Sequence, residues 1–263
     1  MFVFMDKWGF RVQHVHVPCP ALETPLKLLH LSDTHLMLGD EPKMRFIRRV
    51  TEDEYDFVFL TGDIAEEPEA EHLVPGLLSR QPRLGAYAVF GNHDHLRLTS
   101  GEHWVEFLTG RPTNRKNWSD APAMKSRMEA GDRWRVLVNE AVEHEHEGRR
   151  VVVAGVDDPY TGHGDLQRTM RHVKRADVLI GLVHVPTDLA SFSQRGFHLV
   201  LSGHTHGGQV RLPFLGPCAP SATCRRRRPA GCTGSSGRRC TSARASGRGT
   251  TCGCGCSARR PPT

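Results

Sequence analysis

Five short apolar runs divide the first two hundred residues: KLLHLS at 27–32, DFVFLT at 56–61, GAYAVF at 85–90, ADVLIGLV at 176–183 and FHLVLS at 197–202. Each is bounded by polar residues or glycine, the pattern of strands covered on both faces. Between them, the spacing of apolar positions predicts helices over about 41–51, 68–79, 102–109 and 165–174. Strand and helix patterns in alternation predict α/β layers. Residues 135–156 differ. Their alternation around a glycine-containing turn at 147–149 predicts antiparallel strands, and so a second sheet that is at least partly antiparallel. Residues 110–133 are rich in polar and turn-forming types, and a loop or small cap is expected there, with a short helical stretch near AMKSRME. No internal repeat is visible.

Composition breaks this pattern near the C-terminus. The chain has 263 residues, enough for one large domain or two small ones. From Gly216 to Thr263 only Gly, Pro, Cys, Ala, Ser, Thr and Arg occur. Such a segment cannot bury enough apolar surface to offset its ordering entropy. The expected organisation is therefore one domain over residues 1–215 and a low-complexity tail over 216–263. Charge divides at the same place. The tail holds ten Arg and no acid, and the chain carries +6, so residues 1–215 carry 6 − 10 = −4. The basic character belongs to the tail, which is the one segment suited to nucleic acid. Seven of the eight cysteines lie there too, leaving Cys19 alone in the body, as in a reduced intracellular domain. The tail has neither His nor paired CxxC spacing, which disfavours zinc. A disordered arginine-rich arm, a disulfide knot and an out-of-frame stretch all suit this composition. All seven residue types have codons rich in G and C, which favours the last.

At the other end, MFVFM is too short for the apolar region of a secretory signal, and Asp6 and Lys7 interrupt it. No run approaches the roughly 20 apolar residues of a membrane span. A cytoplasmic location is expected, with peripheral association at a membrane as the alternative.

Each predicted strand ends in residues of metal-ligand type. Asp33 and His35 follow the first, Asp63 the second, Asn92, His93 and Asp94 the third, His184 the fourth, and His204 and His206 the fifth. Any one of these is more often a turn or capping residue than a ligand. Turn chemistry gives no reason for so many strand ends to carry Asp or His together. In open α/β sheets the site lies beyond the carboxyl ends of the strands, where all five sets are free to converge. Asp33/His35 and His204/His206 are i, i+2 pairs, which point the same way in an extended chain. Glycines 62, 91 and 203 precede ligand-type residues and permit close backbone approach. Carboxylate, imidazole and amide oxygen together suit Mn, Fe or Zn.

The series DTH, GD, GNHD, H and GHTH, in this order over residues 27 to about 215, resembles the calcineurin-like metallophosphoesterase superfamily. SGHTHGGQVRLP and GVDDP resemble a bacterial branch of metal-dependent phosphodiesterases, some of which act on phospholipids or nucleotide-sugar diphosphates. The resemblance implies a two-sheet mixed β-sandwich flanked by helices, with C-terminal strands that the tail cannot supply. It also implies two divalent ions, Mn²⁺ foremost, with Fe or Zn as alternatives. Asp33, His35, Asp63 and His206 would hold the first. Asp63 would bridge to the second, completed by Asn92, His184 and His204. His93 would protonate the leaving oxygen or bind the phosphoryl group, with Asp94 and Glu66 in support. Hydrolysis of a phosphodiester by a bridging hydroxide would follow, with a small-molecule, phospholipid or nucleotide substrate.

Where phosphatase branches continue the second motif to Asp and Arg, this chain reads GDIAEE. Glu66 remains able to orient His93, whereas Glu67 cannot act as an arginine clamp on a monoester, which favours diesters. His30 is expected in the core, His144 and His146 on a solvated hairpin face, and His95 in a structural role near the site. Asp157 and Asp158 are expected in a turn that closes nearby. Two other functions stand beside hydrolysis: a non-catalytic metal-binding module, and a nucleic-acid binder acting through the arginine-rich tail.

Overall fold

Strand β2 (Phe57–Thr61) turns Phe57 and Phe59 toward one side and Val58 and Leu60 toward the other, and all four are buried. Both faces of its sheet are therefore covered, and the layers follow from this parity. In this computed structural model, residues 10, 12–96, 119–187 and 189–205 are described, with the short strand segments 211–212, 216–217, 232–233, 239–240 and 252–255. The first sheet orders β1 (Leu28–Leu31), β2, β3 (Gly85–Val89) and β4 (Arg135–Val136), all parallel. The second contains β5 (Glu140–His146), β6 (Arg149–Gly155), β7 (Val178–Leu182) and β8 (Leu199–Ser202). There β5 and β6 form an antiparallel hairpin, and β6, β7 and β8 run parallel.

Phe57, Phe59, Tyr87 and Val89 from the first sheet meet Val151, Val153, Ile180, Leu182 and Leu201 from the second in one shared core. On the outer face of the first sheet, Val58, Leu60 and Ala88 pack with Met44 and Ile47 of α1 (Glu41–Val50). A 3₁₀ helix, Pro68–Leu77, joins this layer. It is expected as a helix from sequence, but Pro75 lacks the donor that a continuous α-helix needs. On the outer face of the second sheet, Val152, Ala154 and Val200 meet Phe192, Phe197 and Leu166. The result is the predicted two-sheet sandwich between helical layers.

Four expectations change. The helical stretch expected near AMKSRME is α3 (Ala121–Glu129), after the single turn α2 (Asn92–His95), but it is no part of a loop or cap. Met124 and Met128 bury one face of α3 in the outer core, so this stretch is a structural layer rather than a cap. Second, β4 joins the first sheet, in parallel with β3, instead of the hairpin. Third, His144 and His146 do not face solvent. In β5 the glutamates Glu143 and Glu145 point outward, so the alternate positions point inward. The Tyr87 hydroxyl and His144 Nε2 are hydrogen-bonded at 2.8 Å, and His146 is buried beside Arg83.

The fourth change concerns the tail. Cys252–Gly255 lies antiparallel to β8, against the expectation that 216–263 would add no strand to the sheet. Main-chain pairing needs no particular side chain, and the outer edge of β8 offers unpaired groups. The helix expected at 102–109 lies outside the described residues. So does most of the segment read as an arm, a knot or an out-of-frame stretch.

Candidate metal centre

The parallel strands of both sheets end on the same side. From β1, β2 and β3 come the loops 32–35, 62–66 and 91–95, and from β7 and β8 come His184 and Gly203–His204. The loops after β1 and β2 are laced together: Asp33 N–H donates to Gly62 O at 3.0 Å and His35 N–H to Asp63 O at 2.9 Å. The buried Lys43 of α1 donates to Thr34 O at 2.7 Å and His35 O at 3.0 Å, clamping the first loop from below.

Extended chain is not what aligns Asp33 and His35. Their φ angles are 51° and 40°, with Asp63 at 51° and His204 at 67°. These are four of the seven non-glycine residues in the left-handed region among the described residues. Such strain gathers where surrounding structure imposes it, commonly at functional sites. Gly203 permits close approach between the sheets: a Cβ there would sit 1.9 Å from Ser32 Oγ and 2.6 Å from Asp33 Oδ2. His204 N–H then reaches Asp33 Oδ1 at 2.9 Å, joining the end of β8 to the end of β1.

Asp63 is at the centre. Its Oδ2 lies 3.1 Å from His184 Nε2 and 3.7 Å from His35 Nε2, and its Oδ1 accepts from His93 N–H at 3.0 Å. Burial acts to raise its carboxyl, but His184, His93 and His35 outweigh this and hold it well below the usual range. His184 answers in kind. Burial acts to lower it, while Asp63 above all lifts it to about 10. On the far side of the ring, Nδ1 lies 2.7 Å from the Thr61 carbonyl, which can only accept. Nδ1 therefore carries a proton, and Nε2 is aimed at Asp63. A ring oriented through its second nitrogen is the usual arrangement of a metal-binding histidine. His204 Nδ1 and Asn92 Oδ1 are 3.0 Å apart.

Among the described residues, three groups each bring their donor atoms within 4.8 Å of one another: Asp33, His35 and Asp63; Asp63, His184 and His204; and His35, Glu66 and His93. The first two share Asp63. His184 Nε2 is buried and makes no well-aligned hydrogen bond. This donor set, mixed in oxygen and nitrogen with one carboxylate common to two groups, fits divalent ions.

The supporting residues divide differently from expectation. Glu66, expected to orient His93, touches His35 Nδ1 through Oε1, and its Oε2 is 4.0 Å from His93 Nδ1. Asp94 accepts from Ile64 N–H and Gly91 N–H, each at 2.8 Å, and so braces the loops. Burial and the neighbouring Asp63 push it up to about 7. The rings of His93 and His35 meet edge-on at 5.1 Å. His206 lies outside the described residues. His95 is buried, with Nε2 2.7 Å from Asp157 Oδ1. Sequence reasoning did not find Lys43, the Thr61 carbonyl, or Tyr160, whose ring lies 5.9 Å from that of His204. Asp157 and Asp158, expected in a turn closing near the site, follow the end of β6 in the second sheet.

The family model described as calcineurin-like phosphoesterase matches residues 26–208. A metallophosphoesterase of Bacillus subtilis, YkuE, is 27% identical over 197 residues, covering 73% of this chain and 62% of that protein. A metallophosphoesterase of Aquifex aeolicus is 31% identical, covering 78% and 72%. A transmembrane protein with metallophosphoesterase domain from Bos taurus is 30% identical, covering 74% and 43%. The chain thus spans well under two thirds of the length of the bovine relative and 62% of the first bacterial one.

Proposed function

The chain belongs to the calcineurin-like phosphoesterase family, and from that premise we propose that it is a phosphodiesterase with a dinuclear centre, Mn²⁺ foremost. Family membership and the donor clusters support the coarser statement, a metal-dependent hydrolase of phosphoric esters. The observation that carries the finer reading is the position of Asp63 in two donor groups at once. Asp33, His35 and His206 would complete one ion's ligands with Asp63, and Asn92, His184 and His204 the other's. When bound, two divalent ions neutralise phosphoryl oxygens and acidify water for attack.

The chain's own residues then have three tasks. Asp63, oriented by His93 N–H, holds the two ligand groups in register. Lys43 and Asp94 keep the loops rigid, so the ligands need little reorganisation. His93 hands a proton from its imidazole to the leaving oxygen as the P–O bond breaks, with Glu66 facing its Nδ1. Water oxygen joins phosphorus, and a monoester and an alcohol leave.

Preference for diesters rests on the absence of a cationic clamp in the second motif. Glu67, at the position of the phosphatase arginine, instead accepts from Leu38 N–H at 2.5 Å. A diester brings one charge fewer than a monoester dianion. No described helix is long and apolar enough to cross a membrane. The bovine relative is named as transmembrane, and we place this domain in the cytoplasm or at a membrane surface, acting on a small phosphodiester, phospholipid or nucleotide.

The test is hydrolysis of bis(p-nitrophenyl) phosphate and p-nitrophenyl phosphate by chelated and Mn²⁺-loaded protein. Metal-dependent turnover with the diester preferred is expected. Preference for the monoester would overturn the diester assignment. Two bound ions without turnover of either ester would leave a non-catalytic metal-binding module.

A further inference from the structure

Asp158 follows β6 and is fully buried. Its two oxygens have different surroundings. Oδ2 accepts from Thr161 N–H at 2.8 Å and holds the loop after the strand. Oδ1 is buried with no hydrogen-bond partner among the described residues. A loop cap needs only one acceptor, and asparagine would supply it without a buried charge. A carboxylate oxygen without a partner in the interior is costly unless something else satisfies it.

The topology says where that oxygen lies. β6 and β7 are parallel neighbours with Gly155 opposite Leu182, and Val156 N–H continues the ladder to Leu182 O at 2.9 Å. The residues after Val156 therefore run alongside the end of β7, which carries His184. Two residues beyond Asp158, Tyr160 lays its ring 5.9 Å from that of His204. After burial, the strongest electrostatic influence on Asp158 is His184, and Asp63 also acts on it. The carboxylate thus lies on the side of the centre formed by Asp63, His184 and His204.

The loop is built to hold it there. Asn139 Oδ1 accepts from Asp157 N–H at 3.1 Å and Asp165 N–H at 2.8 Å, and its Nδ2 donates to His163 O at 2.8 Å. The Asp158 carbonyl accepts from His163 and Gly164 N–H. The neighbouring Asp157 is bound to His95, which leaves Asp158 as the carboxylate whose second oxygen has no role in the loop.

We propose that Asp158 is a positioning residue beside the metal centre, whose buried carboxylate supplies negative charge alongside His184 and so favours the ion that Asp63, His184 and His204 would hold. This rests on the assignment of those three residues as ligands. It predicts a centre whose second ion depends on a residue outside the five strand-end motifs.

The experiment titrates metal-free protein with Mn²⁺ alone, by calorimetry and by the spin-coupled Mn²⁺ pair signal in electron paramagnetic resonance. Asp158→Asn retains the Thr161 contact through its amide oxygen. It is expected to keep the tighter binding step, to weaken the second by about 10- to 100-fold, and to shift the pair signal to higher Mn²⁺. Asp157→Asn, which alters the adjacent carboxylate on the same loop, is expected to leave both steps as in the wild type. Unchanged binding in Asp158→Asn overturns the proposal. So does equal weakening of both steps, or the same loss in Asp157→Asn, since either marks a general loosening of the loop. Wild-type protein that binds no Mn²⁺ would end the metal-centre assignment itself, and this proposal with it.

Discussion

His184 bonds through Nδ1 to the Thr61 carbonyl at 2.7 Å and turns Nε2 to within 3.1 Å of Asp63 Oδ2. A backbone atom of one sheet thereby sets the direction of a ligand-type ring on the other. Asp63 is the common member of two donor groups. Asp63→Asn is therefore expected to reduce bound Mn²⁺ from two ions to one or none, by elemental analysis. Hydrolysis should fall by more than about 100-fold, the upper range for disturbing a ligand's support alone. Retention of two ions would remove Asp63 from the bridging position.

His93 belongs beside the centre without serving as a ligand in the proposed mechanism. His93→Ala should keep both ions yet lower turnover by about 10² to 10⁴ on a diester with a poor leaving group. The loss should shrink when nitrophenolate leaves, because that oxygen needs little protonation. Equal losses on both substrates would point to phosphate binding instead of proton transfer.

Gly203 tests the contact between sheets. A methyl group there would lie 1.9 Å from Ser32 Oγ, and Ser32 is itself bonded to Thr61 O. Gly203→Ala should destabilise the fold by about 1–3 kcal/mol and lower metal content as well. A thermal melt and elemental analysis on the same sample check both. A variant with wild-type melting and metal content would show that the loops yield without cost.

His30, bonded to Thr61 Oγ1 at 2.8 Å, is lowered by burial to about 3. The folded state resists its protonation, so its contribution is fully present above the unfolded value near 6.5 and is lost as pH falls from there toward about 3. The slope is about 1.4 kcal/mol per pH unit for one group. Urea unfolding at pH 7 and pH 5 should show a smaller fall in His30→Leu than in the wild type. An identical fall would mean that His30 does not titrate on unfolding.

Cys252–Gly255 lies along the outer edge of β8, but CGCG offers no large apolar side chain to either core. The coding sequence for 216–263, read in another frame, is expected to give alternating apolar stretches suited to that edge. Restoring them should raise the melting temperature and the activity together. A stop codon soon after Gly216 in both other frames would end this account and favour an arginine-rich arm, with salt-dependent nucleic-acid binding.

The strands, their order of appearance and the ligand-type residue at each strand end are set by the sequence alone. Buried parallel strands must be continuous apolar runs, and polar residues must mark where they stop. The E-H-E-H alternation that ends β5 is legible as a strand but not as to its faces. Residue type placed His144 and His146 outside, while contacts with Phe57 and Tyr87 turn His144 inward and Arg83 and the Thr24 carbonyl meet His146. Only the tertiary structure decided which loops touch. Asp33 meets His204 N–H across 171 positions, and Glu66 reaches His35 before His93. Those choices depend on the register of two sheets and on left-handed turns at Asp33, His35, Asp63 and His204. No local pattern encodes them, because they are imposed by contacts between segments far apart in the chain.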